Sequence, residues 1–274
     1  MRLRTLQRRY DFHRGEAILA ALQGNHDKAA THSATALAIS RELCAGARGH
    51  RAALAAALSH HARYSATTVD TIALLTESAG HYAALAAADP AGYEVPRIEV
   101  LTRVALASDT TGNAEDAISL LREVIRLYLE APAADLAHRD LALARARFHL
   151  GRCLLKSGSA ADGLAETDAG LALAWRALDR LHISAWVPGW LATVPRYMQL
   201  AAPDWAAAAV RSMMLHAAAG RWENAAGAAE AAVQLSAGLA WLGGDSMREA
   251  HAAIRARADM IWAHAGHSQR AAAG

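Results

Sequence analysis

One short pattern occurs four times in this chain: Gly24-Asn25-His26-Asp27-Lys28-Ala29, Gly112-Asn113-Ala114-Glu115-Asp116-Ala117, Gly158-Ser159-Ala160-Ala161-Asp162-Gly163 and Gly220-Arg221-Trp222-Glu223-Asn224-Ala225. Each copy lies between two stretches of helical apolar periodicity, which spells a helix, a tight turn and a second helix. A helix pair of this kind cannot bury its apolar face alone and must stack on copies of itself, so the repetition dictates a solenoid. Within the unit the glycine tolerates left-handed φ and stops the first helix. The small residue five positions later, Ala29, Ala117, Gly163 or Ala225, lets two antiparallel helices approach closely.

The interval from Gly112 to Gly158 is 46 residues. Another 46 back from Gly112 falls on Ala66, where Asp70-Thr71-Ile72-Ala73-Leu74-Leu75 matches Asp116-Ala117-Ile118-Ser119-Leu120-Leu121; Gly24 lies 42 residues before Ala66. A fifth, degenerate unit therefore sits at Ala66. The last interval, Gly158 to Gly220, is 62 residues and holds Pro188, Gly189, Pro195 and Pro203, so a broken or short helix is expected there. The chain reads as a single domain over 1–274, with repeats at about 10–44, 50–88, 97–131, 140–180 and 204–243 and an irregular insert at 182–203. Second helices are expected at about 26–43, 68–87, 114–130, 160–180 and 222–241, and a charged helix at 245–265 caps the open end.

Composition agrees. A chain of 274 residues that is 54% hydrophobic and 20% charged lies far from the regime of disorder. Alanine dominates, proline is scarce, and strand-like runs are nearly absent, which makes the chain all-α. A net charge of +2 supplies no bulk field for nucleic acid or anionic membrane, so neither is expected as a direct partner. Cys44 and Cys153 are too few for a disulfide framework and lack CxxC spacing, which points to a reducing, cytoplasmic setting. Cys153 reads as a small core hydrophobe. The basic N-terminus is not followed by a signal-type apolar stretch, and no run approaches the roughly 18 apolar residues of a membrane span.

The turn-plus-small pattern, with Leu150-Gly151 seven to eight residues before Gly158, resembles the tetratricopeptide repeat (TPR) family over about residues 10–243. The resemblance implies a right-handed α-α superhelix of about five helix pairs plus the capping helix. Intervals of 42 to 46 residues exceed the family's roughly 34, implying lengthened repeats like those of TPR-like sensor portions in bacterial regulators. It also implies which first-helix residues line the inner groove, counted back from each turn. These are Arg145, Phe148, Arg152, Leu155 and Lys156 in the fourth unit, and Ala53, Ala56, His60, Arg63 and Tyr64 in the second. The third unit supplies Glu99, Thr102, Leu106, Asp109 and Thr110, and the first supplies Asp11, Arg14, Ile18, Ala21 and Leu22. The Asn residues of the family's carboxylate clamp are missing, which argues against recognition of a chaperone-type C-terminal tail.

No linear catalytic motif is present: the chain has no GxSxG, HExxH, Walker loop, GxGxxG or CxxC. Gly151 to Ser157 lacks the second glycine of a phosphate loop and falls inside a helix. His60-His61 and His264/His267 have no carboxylate or cysteine one turn away, so no metal ligand, cofactor or catalytic residue is nominated. The candidates are binding residues. Arg145 and Arg152 are seven apart, two turns along one face, with His149 beside them and Lys156 one turn on. Together with His60, Arg63 and Tyr64 they suit carboxylates or phosphates, because a guanidinium presents a planar fork of donors. Trp186 and Trp190 flank Pro188-Gly189 and are expected to close one end of the groove over a partner.

These features lead to a bacterial, cytoplasmic, non-catalytic scaffold that binds a protein or peptide, acidic in character, in its groove. Self-association of the chain is compatible with such a surface. The alternative is a ligand- or peptide-sensing regulatory module of a bacterial transcription-regulator system. An enzyme whose His60, Arg63, Tyr64 and Trp190 converge without a linear motif is the least favoured of the three.

Overall fold

The computed structural model describes residues 2–46, 48–131, 136–183, 190–193 and 196–273. Every ordered element among them is helical. Helix α1 (Arg2–Leu22) packs on α2 (His26–Gly46), α3 (Arg51–His61) on α4 (Thr68–Ala86), and α5 (Pro90–Thr110) on α6 (Ala114–Glu130). Short 3-10 turns at Arg48–His50 and Ala62–Tyr64 bracket α3. Helix α7 (Leu136–Lys156) packs on α8 (Ala160–Arg180), a short α9 (Trp190–Thr193) follows, and α10 (Arg196–Ala218) packs on α11 (Trp222–Leu242), with α12 (Asp245–Ala273) against α11. The chain parts into two compact units, Met1–Pro132 and Ala133–Gly274.

The repeated glycines do what their chemistry suits them for. Gly24, Gly112, Gly158 and Gly220 have φ of +74°, +82°, +88° and +70°. After each, the next residue's N–H reaches back to the last turn of the first helix: Asn25 to Ala20 O at 2.9 Å, Asn113 to Ser108 O at 3.1 Å, Ser159 to Leu154 O at 2.9 Å and Arg221 to His216 O at 2.9 Å. Carbonyls that would otherwise be orphaned at the helix end are thereby satisfied. Asn25 and Asn113 then cap the following helix, accepting from the N–H of Lys28 at 3.1 Å and Asp116 at 3.4 Å. The degenerate unit has no glycine at Ala66; there Thr67 Oγ1 accepts from the Asp70 N–H at 3.1 Å and starts α4.

Close approach is most pronounced between α7 and α8. A Cβ on Gly163 would lie 2.8 Å from the Gly151 carbonyl oxygen, one on Gly151 would lie 2.5 Å from Thr167 Oγ1, and one on Gly170 would lie 2.6 Å from the Phe148 ring. Leu150-Gly151 is thus a backbone-contact point. The same packing corrects one expectation: Phe148, placed in the groove by position counting, is 1% exposed and seated on Gly170. Its ring fills the space left by the missing side chain, which is worth more than lining a wet surface. At the far end of this pair the fully buried Asp140 carboxylate takes a two-pronged contact from Arg176, with Nε and Nη2 each at 2.8 Å, and Arg180 lies at 3.5 Å.

The insert is shorter than its prolines suggest. Helix α10 already begins at Arg196, and Pro203 sits inside it. A proline in a helix forfeits one ladder bond and strains the preceding turn, but it need not end the helix. Residues 184–189 and 194–195, including Trp186, lie outside the described residues. Cys153 is fully buried, as a small hydrophobe should be.

Candidate functional site

The first helices of the repeats carry arginines, and in each unit they bring several together. In Met1–Pro132, α1, α3 and α5 are tied side by side. Tyr10 on α1 donates its hydroxyl to Ala53 O on α3 at 3.3 Å, and Arg103 on α5 donates to Ser59 O at 2.8 Å and Ser59 Oγ at 2.5 Å. Beside this junction lies His60, half-buried, with Nδ1 3.3 Å from Ser33 Oγ and its ring edge-on to Tyr64 at 5.5 Å between centroids. Burial holds the His60 pKa below its ordinary value, and the positive charges of Arg63, Arg14 and Arg103 push the same way. The sequence candidates His60, Arg63 and Tyr64 therefore do gather, joined by Arg14 and Arg103. Tyr64 also borders a cleft of about 500 Å³ toward α2 and α4, with Arg41, Asp70 and Glu77 on its walls.

In Ala133–Gly274 the corresponding residues stand on α7 and α10. Arg145 is exposed, with Nε 3.9 Å from Asp204 Oδ2. Arg211 is half-buried; desolvation, followed by the charge of Arg152, lowers its pKa, while Asp204 opposes this. Arg145 and Arg211 thus have Asp204 as an acidic neighbour, and the charge of Arg152 acts on Arg211. Lys156 is exposed at the end of α7, whereas His149 is buried and belongs to the packed side of that helix.

Trp190 also departs from expectation. It is 3% exposed and lies against Gly238 of α11, where an added Cβ would meet its Nε1 at 2.8 Å. Its ring is core, packed in a cluster with Trp205, Phe148 and Leu191. Burying a large aromatic between helices is simply the stronger use of its area.

Position counting missed Arg103 and Arg211. Each lies nine residues before its turn glycine, Gly112 and Gly220, whereas the transferred positions lie 13, 10, 6, 3 and 2 before the turn and were applied to the first four units only. Thr102 and Asp109, expected on the groove, are buried. The recurrence of arginine at the same offset in two repeats is a signal that aligning the repeats to one another exposes.

His60 makes a pH dependence unavoidable. Its folded pKa is depressed, so below the ordinary value of about 6.5 the unfolded chain binds the proton more readily. Stability should therefore fall as pH drops through the window between the two values. His13, His61 and His251 are shifted in the same direction, burial being the largest cause for each. Denaturant midpoints at pH 7.5 and 5.5 should show this loss, and His60→Gln should reduce it.

The fold is that of a TPR-like helical repeat. Among solved structures, the chain is similar to the nearly identical TPR-like repeats of a kinesin-light-chain-like protein from Podosopora anserina, at 14% identity and a TM-score of 0.54, over 86% of this chain and 97% of that one. It is also similar to BtubC (BKLC) from P. vanneervenii, at 15% identity and a TM-score of 0.50, over 86% and 90% of the two chains. No family model matches the chain, and no curated protein matches it in sequence. Among the described residues no cluster of three or more His, Cys, Asp or Glu side chains could hold a metal ion, and no helix is long and apolar enough to cross a membrane.

Proposed function

We propose that this chain is a protein- or peptide-binding repeat scaffold whose first-helix arginines receive acidic side chains. Stacked helix pairs present extended surfaces to partners. The observation that carries the reading is the gathering of arginines at the half-buried His60: Arg14 lines one small pocket with it, Arg103 is bonded to the adjacent Ser59, and Arg63 follows three residues on. Like charges drawn together beside a partly desolvated imidazole repel one another, and an incoming carboxylate relieves that repulsion while accepting from the planar forks of Arg14 and Arg63. Arg145, Arg152 and Arg211 offer the second unit a similar surface.

A fluorescein-labelled peptide rich in Glu and Asp, titrated with the intact chain and followed by anisotropy, tests this. The double substitution Arg14→Ala/Arg63→Ala should weaken binding about tenfold, or about 1.4 kcal/mol, with Arg145→Ala/Arg152→Ala acting in the same direction. Added salt should weaken the wild-type interaction, because exposed charges are screened. A bound carboxylate raises the His60 pKa, so affinity should increase as pH is lowered from 7.5 to 5.5. Affinity that ignores both double substitutions and salt rules the reading out.

A further inference from the structure

A different cleft, on the second unit, is built around a carboxylate rather than around arginines. It lies where α8, α10 and α11 meet and has a volume of about 250 Å³. At its base Asp168 of α8 is gripped from below by two residues of α10. Ser212 Oγ donates to Oδ1 at 2.5 Å, and His216 Nε2 donates to Oδ2 at 2.8 Å. Ser212 and His216 are 1% and 3% exposed, while the Asp168 side chain stays 39% exposed.

This is not a nucleophile relay. Serine and histidine each bond a different oxygen of one carboxylate, and the serine is buried, so the arrangement orients Asp168 instead of activating a hydroxyl. A carboxylate can accept about four hydrogen bonds; two are filled from inside the protein, and the remaining lone pairs face the open side. Two buried polar residues spent on orienting a surface carboxylate are the mark of a pre-organised acceptor.

The walls indicate what it accepts. Leu171 and Trp175 follow Asp168 at i+3 and i+7 on one face of α8, giving an apolar strip that ends in a half-buried indole. Opposite, α11 presents Asn224, Gly227 and Ala228. A Cβ at Gly227 would meet nothing within 4 Å, so that glycine leaves the cleft open. Asp168 is the one Asp, Glu, Lys or Arg among the described lining residues.

We propose that this cleft binds an alkylguanidinium or alkylammonium group: the cationic head on Asp168, the apolar stem along Leu171 and Ala228, and Trp175 offering its ring face to the cation. The reading is separate from the arginine faces, which stand on the first helices α1, α3, α5, α7 and α10 and select the opposite charge.

The test is titration of the intact chain with n-butylguanidinium, a blocked Ala-Arg-Ala tripeptide and neutral n-pentanol, read by isothermal calorimetry and by chemical shifts of the Trp175 and Asn224 side chains. Both cations should bind and compete, with pentanol at least tenfold weaker. Tripeptide binding threefold or more tighter than butylguanidinium identifies a polypeptide side chain as the source of the cation; equal affinity identifies a free small cation. Asp168→Asn should lower affinity tenfold or more. Gly227→Leu should abolish binding by filling the cleft, with an unchanged or higher melting temperature, because leucine is the better helix former and meets no neighbour at its Cβ. Failure of both cations to bind at millimolar concentration, pentanol binding as well as the cations, or unchanged affinity in Gly227→Leu would each overturn the proposal. None of these outcomes bears on acidic-peptide binding at the arginines.

Discussion

Replacing Trp190 by alanine should lower the stability of the chain by about 3–5 kcal/mol and leave its affinity for an acidic peptide unchanged wherever the protein remains folded. The ring is 3% exposed, rests on Gly238 and shares a core with Trp205, Leu191 and Leu235. Truncation removes the transfer energy of a whole indole and leaves a cavity between α9 and α11, which the neighbouring backbone can close only in part. Helix α9 is only four residues long, too short to be stable by its own hydrogen bonds, so the tryptophan and Leu191 are what hold it down. Chemical denaturation of wild type and Trp190→Ala, paired with peptide titration at low denaturant, checks the expectation. A large loss of affinity at nearly unchanged stability would return the indole to a ligand surface and remove it from the core.

Gly163→Leu should cost about 1–3 kcal/mol by overpacking. The upper end of that range is expected because the obstacle is backbone: a Cβ alone would lie 2.8 Å from the Gly151 carbonyl oxygen and 3.1 Å from the Leu155 nitrogen. Flexible side chains could swing away, but these atoms belong to α7 itself and move only if the helix pair separates. Gly80 of α4 provides the control. It is exposed, and a Cβ added there would meet nothing within 4 Å, so Gly80→Ala should stabilise by about 0.5–1 kcal/mol through helix propensity. Thermal melts of the two variants should shift in opposite directions; a neutral Gly163→Leu would contradict the register in which α7 and α8 are packed.

The helix pairs were legible because they rest on local chemistry. A glycine needed at positive φ, a capping Asn or Thr and a small residue five positions on are all contained within a few residues of sequence, and their repetition multiplies the signal. The 182–203 insert was harder to read. Proline is a breaker only on average, and Pro203 is carried inside α10. Among site residues, His60, Arg63 and Tyr64 were found together, whereas Phe148 and Trp190 turned inward and His149 was buried. Counting back from the turn put Arg63, Arg145 and Lys156 on the exposed side, but it also put the buried Thr102 and Phe148 there and passed over Arg103, one residue on from Thr102; Arg211 stands in the fifth unit, to which the count was not carried. A helix turns by about 100° per residue, so an offset of one exchanges the wet face for the packed one.

What the sequence determined by itself is the repeating helix–turn–helix unit, its turns, and the supply of arginines along the first helices. Those properties depend on neighbours within one or two helical turns. Only the tertiary structure decided which side chains meet: that Gly170 would seat Phe148, that Gly238 would seat Trp190, and that Ser212 and His216, 44 and 48 residues beyond Asp168, would close on its two oxygens. Such contacts depend on the distance and rotation between stacked helices, which are set by summed packing over many small and large side chains, and no short motif encodes that sum.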